Sequence, residues 1–208
     1  MWTSLGRASI ALLVGGLVGS AGARKAAADP DPLERYGMSL GVGGGVEGFT
    51  GRDMRETAGT GGLWDVRAAF GTRMPIGVEA AYLGSVQSAH ATGLDRRAAL
   101  IGTAVEADAR VNILPKKAIE PYVFLGAAWR RYDLIRDKYN ASDVKDRDNL
   151  LEVPMGAGVG YRYRGFLVDA RSEFRAAANG DLVSETGEPN KHPAMHTWDV
   201  NGRLAYEF

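Results

Sequence analysis

Residues 197–208 read TWDVNGRLAYEF. Trp198, Val200, Gly202, Leu204, Tyr206 and Phe208 fall on one face of an extended chain, and Thr197, Asp199, Asn201, Arg203, Ala205 and Glu207 on the other. A period of two is that of a β-strand. One face is apolar and ends on an aromatic residue; the other is polar. Which of them meets water decides what kind of protein this is.

The pattern recurs upstream. Alternation predicts strands over 36–50, 61–74, 77–90, 98–114, 121–136, 150–163, 166–179 and 197–208, eight in all. In the seventh, Phe166, Val168, Ala170, Ser172, Phe174 and Ala176 alternate with Leu167, Asp169, Arg171, Glu173 and Arg175. The fourth opposes Ile101, Thr103, Val105, Ala107, Ala109, Val111 and Ile113 to Glu106, Asp108, Arg110 and Asn112. The second sets Trp64, Val66, Ala68, Phe70 and Thr72 against Asp65, Arg67 and Arg73. The fifth, PYVFLGAAWRRYDLIR, is apolar on both faces as far as Arg130, and its facing does not follow from pattern. The stretch RRAALIGTAVEADARVNIL also tolerates a helical reading, but its continuation to a stop at Pro115 favours a strand.

Connections alternate in length. Pro75-Ile76, PKKAIE and Arg164-Gly165 are short, whereas GRDMRETAGT, ATGLDRR, DKYNASDVKDRDN and GDLVSETGEPNKHPAMH run from 7 to 17 residues. Short turns at one end and long loops at the other are the habit of barrels in an outer membrane. A soluble cup of eight strands would point its apolar face inward, and a membrane barrel inverts this.

Charge composition favours the inverted arrangement. Lys116 and Lys117, with Lys25, Lys138, Lys145 and Lys191, all fall in turns, loops or the N-terminal tail. Strand charges are instead arginines and carboxylates: Arg67, Arg73, Arg110, Arg162, Arg171, Arg175 and Arg203 against Glu47, Asp65, Glu79, Glu106, Asp108, Glu152, Asp169, Glu173, Asp199 and Glu207. Guanidinium, with five donors in a fixed fork, suits an enclosed network. Aromatics gather at both strand ends, with Tyr36, Tyr122, Tyr163, Phe166, Tyr206 and Phe208 at one and Phe49, Trp64, Trp129, Tyr132, Phe174 and Trp198 at the other. Such girdles mark the head-group levels of a bilayer.

The N-terminus adds an export signal. Arg7 precedes an apolar run over 8–18, and small residues follow at Ala21 and Ala23 or at Ala26 and Ala28. This is the order of a secretory signal peptide, residues 1–28, with cleavage after Ala23 or Ala28, and the run is too short to span a bilayer. The expected fold is an all-β, eight-stranded antiparallel up-and-down transmembrane β-barrel over 34–208.

These features resemble the small outer-membrane β-barrel family of Gram-negative bacteria, the group of the OmpA-type transmembrane domain and OmpX. The likeness rests on the leader, the eight strands, the pieces EPYVFLGAAWRRYDL and LEVPMGAGVGYRYRG, and the ending Tyr206-Glu207-Phe208. It implies an outer-membrane location reached by the general secretory route. It also implies recognition of the last strand, through Phe208, Tyr206, Leu204, Gly202 and Val200, by the barrel-assembly machinery, and contact with membrane lipid and lipopolysaccharide. No peptidoglycan-binding domain is expected.

Composition excludes other classes. Formal charge is zero, with 25 basic and 25 acidic residues, so no global field recruits nucleic acid, and the absence of cysteine removes disulfides and thiolate metal sites. The Gly-rich stretches SLGVGGGVEGF and GAGVGYRYRG lack the helix and the Gly-Lys-Ser/Thr ending of a phosphate cradle. His90, His192 and His196 fall in long loops, with Pro193 between the last two, which argues against a helical metal pair. A lipid A-modifying rim enzyme would draw on Ser184, His192 or His196, and Glu185 or Glu188, all within one loop that lacks a scaffold. No catalytic residue, metal or cofactor is therefore expected. The expected role is structural or surface-interacting, with a ligand at the outward loops, and the alternative is a narrow channel. Arg130-Arg131 and Arg96-Arg97 are candidate contacts for anionic lipopolysaccharide.

Overall fold

The computed structural model describes residues 36–89, 98–135, 147–178 and 195–208. The leader (1–28), His90, Arg96-Arg97, Ser184, Glu185, Glu188, His192, Lys25, Lys138, Lys145 and Lys191 lie outside the described residues. The strands are β1 (Met38–Phe49), β2 (Gly61–Phe70), β3 (Ile76–Ser88), β4 (Ala99–Asn112), β5 (Ile119–Ile135), β6 (Arg147–Tyr163), β7 (Phe166–Ala178) and β8 (Thr197–Glu207). They form one closed antiparallel barrel in sequence order, with β1 sealed to β8 from Ser39–Glu207 to Phe49–Thr197. Closure leaves no free edge to be satisfied by solvent. Among the described residues no helix is long and apolar enough to cross a membrane.

The facing is the inverted one. Val168 is 54% exposed and Phe174 38%, while Arg171 and Glu173 are each 3% exposed. All ten expected carboxylates are buried in the lumen, and Val42, Val66, Val78, Val105, Val123, Val159, Leu204 and their neighbours form an apolar outer wall. That exterior is stable against hydrocarbon and costly against water.

Several expectations are corrected. β2 stops at Phe70, because Gly71 takes φ +81° and starts the turn that ends at Pro75; Ile76 already belongs to β3. Thr72 therefore does not continue the outer face of β2: it is buried and its hydroxyl donates to Glu207. Phe49, Tyr122 and Tyr132 face the lumen and do not join the girdles. The girdle at the short-turn end is built from Phe70, Tyr161, Tyr163, Phe166, Tyr206 and Phe208, with edge-on contacts of 5.6 Å for Phe166–Tyr206 and 5.2 Å for Tyr206–Phe208. Trp64, Trp129, Phe174 and Trp198 mark the long-loop end.

Glycine on β1 has a packing reason. Gly43 points inward beside Asp65, where a Cβ would lie 2.0 Å from Asp65 Oδ1. The lumen is too narrow for a side chain from both strands at that level.

Candidate functional site: a sealed, salt-bridged lumen

The lumen is filled from wall to wall by charged side chains that alternation aims inward. At its centre Glu79 of β3 accepts from Arg67 of β2 (3.2 Å), Arg110 of β4 (2.8 Å) and Arg171 of β7 (2.8 Å). Arg171 also reaches Glu106 at 3.2 Å, Asp108 at 2.9 Å and Glu173 at 2.9 Å. Arg175 continues the network to Glu106 and Glu173, each at 2.6 Å. Aromatic rings take part: the guanidinium of Arg110 lies 3.5 Å from the centroid of Tyr122, and that of Arg171 lies 3.4 Å from Phe124. The Tyr122 hydroxyl donates to Asp169 at 2.8 Å.

Buried charges at this density are tolerable only because both signs interleave on facing strands, each of these guanidinium groups meeting carboxylates from more than one direction. The effect is mechanical as well as electrostatic. Pairs such as Glu79–Arg171 and Glu47–Arg130 join strands on opposite sides of the barrel and cross the path a solute would take.

Each end is closed differently. Towards the short turns, Glu207 binds Arg162 (2.7 Å) and Arg73 (3.1 Å), and Glu120 binds Arg162 (2.9 Å). Towards the long loops, Glu47 meets Arg130 at 2.6 Å and Gln87 at 3.1 Å, and Arg130 reaches Glu152 at 3.1 Å. Above that layer sits an apolar stopper of Phe49, Met54, Ala58, Leu100, Tyr132, Leu150 and Met195. Met54 comes from a six-residue helix, α1 (Arg52–Thr57), in the first long loop. It is the one apolar side chain in RDMRET and is 0% exposed, while Arg52 and Glu56 pair on the outer side at 3.2 Å. Ala58 then bridges to Ala89, which ties the helix to β3.

The expected lumen set is thus brought together, and two members are added: Arg130 and Glu120. Arg130 is a correction as well, since the sequence offers it as a lipopolysaccharide contact; it is buried, and only Arg131 looks outward, paired with Asp133 at 2.9 Å. A signal for both additions existed in β5. Glu120 and Arg130 share parity, so counting by twos between them puts Tyr122, Phe124, Gly126 and Ala128 on the inner face. Of the residues considered for a rim enzyme, only His196 is described. Its Nδ1 accepts the backbone N–H of Ala177 at 3.0 Å and its ring packs on Phe174, a strand-capping role. Among the described residues no group of His, Asp and Glu could hold a metal.

Solved structures share this architecture. Neisserial surface protein A superposes with a TM-score of 0.58 at 9% identity, over 83% of this chain and 97% of that one. A major outer membrane protein of Thermus thermophilus gives 0.53 at 13%, over 82% and 99%. Ail, the attachment invasion locus protein of Yersinia pestis, gives 0.50 at 14%, over 83% and 97%. The likeness is one of fold. No family model matches the sequence, and no curated protein does. An eight-stranded barrel with an apolar exterior and a buried salt-bridge network is consistent with a structural or surface protein of an outer membrane.

Proposed function

We propose that this chain is an outer-membrane barrel of Gram-negative type with a structural or surface-interaction role, non-conducting and non-catalytic. It is exported by its leader, with the short turns in the periplasm and the long loops presented outward to a ligand and to lipopolysaccharide. The carrying observation is the pair of ion bridges that cross the whole lumen, Glu47–Arg130 and Glu79–Arg171, beneath the apolar stopper of α1. Bridges of this kind obstruct passage along the lumen, which supports a role for the external surface. The last strand, with Phe208, Tyr206 and Leu204 on its outer face, supplies the signal to the barrel-assembly machinery.

Fractionation and bilayer recording test this together. The mature chain is expected in the outer-membrane fraction, migrating faster when unboiled, and silent in planar bilayers at physiological salt. Steady unitary conductance would replace the reading with a channel, and recovery in the soluble periplasm would replace it with a carrier. Expression that changes the mass of lipid A would replace it with an enzyme.

A further inference from the structure

Two of the three short turns carry cations beyond those that the lumen consumes. Turn 113–118 exposes both Lys116 and Lys117, between exposed Ile113, Leu114 and Ile119. Turn 164–165 exposes Arg164, whose guanidinium stands 5.1 Å over the Tyr163 ring. Turn 71–75 contributes Arg73, which is half-buried and shared with Glu207. Every ionisable side chain of these turns is basic. Among the described residues the acidic side chains at this end, Glu120 and Glu207, are buried and paired with Arg162 inside the barrel, so they do not neutralise the lysines.

Two further features set these cations apart from an ordinary solvated rim. Lys116 has φ +69° and Arg164 φ +50°, and among the described residues they are the only non-glycines in the left-handed region. A turn there ordinarily uses Gly or Asn, which adopt that backbone at little cost. Here both positions carry a long cationic side chain despite the strain, and strain kept at a surface position points to use.

The turn backbones are also held together. Arg162 donates from Nη1 to the carbonyl of Lys117 (3.3 Å) and from Nη2 to that of Thr72 (3.4 Å). Asn112 Nδ2 donates to the carbonyls of Gly71 (3.1 Å) and Met74 (2.7 Å), and the Glu207 N–H donates to the Gly165 carbonyl at 2.7 Å. The cations therefore project from a fixed ring.

We infer that the short-turn end is a cationic collar for the phosphodiester head groups of anionic glycerophospholipids in the adjacent leaflet. It rests on the membrane-spanning reading above. Ile113, Leu114 and Ile119 set the depth by entering the acyl region, the lysine stems run along the interface, and the ammonium groups arrive at the phosphates. Tyr163 and Arg164 repeat the arrangement on the next turn. A juxtamembrane cation is worth about fivefold in partition to an anionic surface.

The test uses the full mature protein in vesicles of equal phosphatidylglycerol and phosphatidylethanolamine, with retained lipid read by native mass spectrometry. Wild type is expected to retain phosphatidylglycerol several-fold over phosphatidylethanolamine. The triple variant Lys116→Gly, Lys117→Gln, Arg164→Gly is expected to lose that preference while keeping its lipopolysaccharide binding and its fast unboiled migration. Glycine suits both positive-φ positions, so the variant should fold at least as well. An unchanged preference in the variant, or none in wild type, overturns the collar. Loss of binding to peptidoglycan sacculi in place of phosphatidylglycerol overturns it in favour of a wall polymer. Complete protease digestion of wild type in vesicles would instead show that the chain does not insert, and then the membrane reading fails first.

Discussion

Glu79 on β3 and Arg171 on β7 meet at 2.8 Å across the full width of the barrel, four strands apart in either direction around the ring. Neighbouring strands are held by their backbone ladders. This pair holds opposite walls, with Arg67 and Arg110 gripping the same carboxylate from β2 and β4.

Glu79→Leu should therefore be the costly substitution in the lumen. It strands three guanidinium groups without their shared acceptor, and breaking a buried pair from one side costs about 3 to 5 kcal/mol. Glu79→Leu combined with Arg171→Leu should cost less than the sum of the two single changes. Urea unfolding in vesicles gives the cycle; strict additivity would show that the two residues do not interact. Raising KCl to high concentration should barely alter wild-type stability, because buried pairs are poorly screened.

The wall facing can be read chemically, because the chain has no native cysteine. Val168→Cys, spin-labelled before folding, should be relaxed by dissolved oxygen and shielded from a water-soluble nickel chelate, whereas Asp199→Cys should resist a water-soluble maleimide. Val168→Arg, one outward position beyond the Phe166 girdle, should cost less than the about 2 to 4 kcal/mol of an arginine at the bilayer midplane. Relaxation of the Val168 label by the nickel chelate in preference to oxygen would reverse the barrel.

Met54→Ala removes the central side chain of the stopper and leaves the Glu47–Arg130 layer below it intact. The expected cost is about 2 to 5 kcal/mol for a fully buried methionine, towards the low end because the mouth can relax. Bilayer recordings should stay silent. Conductance on this change alone would show that the stopper, and not the ion bridges, closes the lumen.

Gly43→Val places a side chain where Asp65 already stands. Overpacking of this kind costs about 1 to 3 kcal/mol. Gly44→Val, one residue on and facing outward beside the carbonyl of Leu63 at 3.4 Å, should be tolerated. Equal midpoints in urea for the two variants would contradict the inward crowding.

Much of this was legible in the chain. Alternation in β7 and β8 assigns Val168 and Leu204 to one face and Arg171 and Arg203 to the other, because successive side chains of a strand must point apart. The choice of arginine over lysine on the charged face, with acids interspersed, identifies that face as the enclosed one. What pattern could not supply lies where periodicity is weak. β5 is apolar on both faces over most of its length, so Arg130 could be read as a rim residue. α1 is a single turn and a half, shorter than any hydrophobic period can register. Thr72 changes sides because Gly71 breaks the strand before it.

Local pattern alone specified eight strands and, for all but β5, which face is charged, since both follow from geometry repeated along the chain. That Glu47 faces Arg130, that Glu79 faces Arg171 and that Met54 closes the mouth above them emerges only in the folded barrel. Those partners are far apart in the chain and on opposite strands, and they meet only once the ring has closed and its register is set.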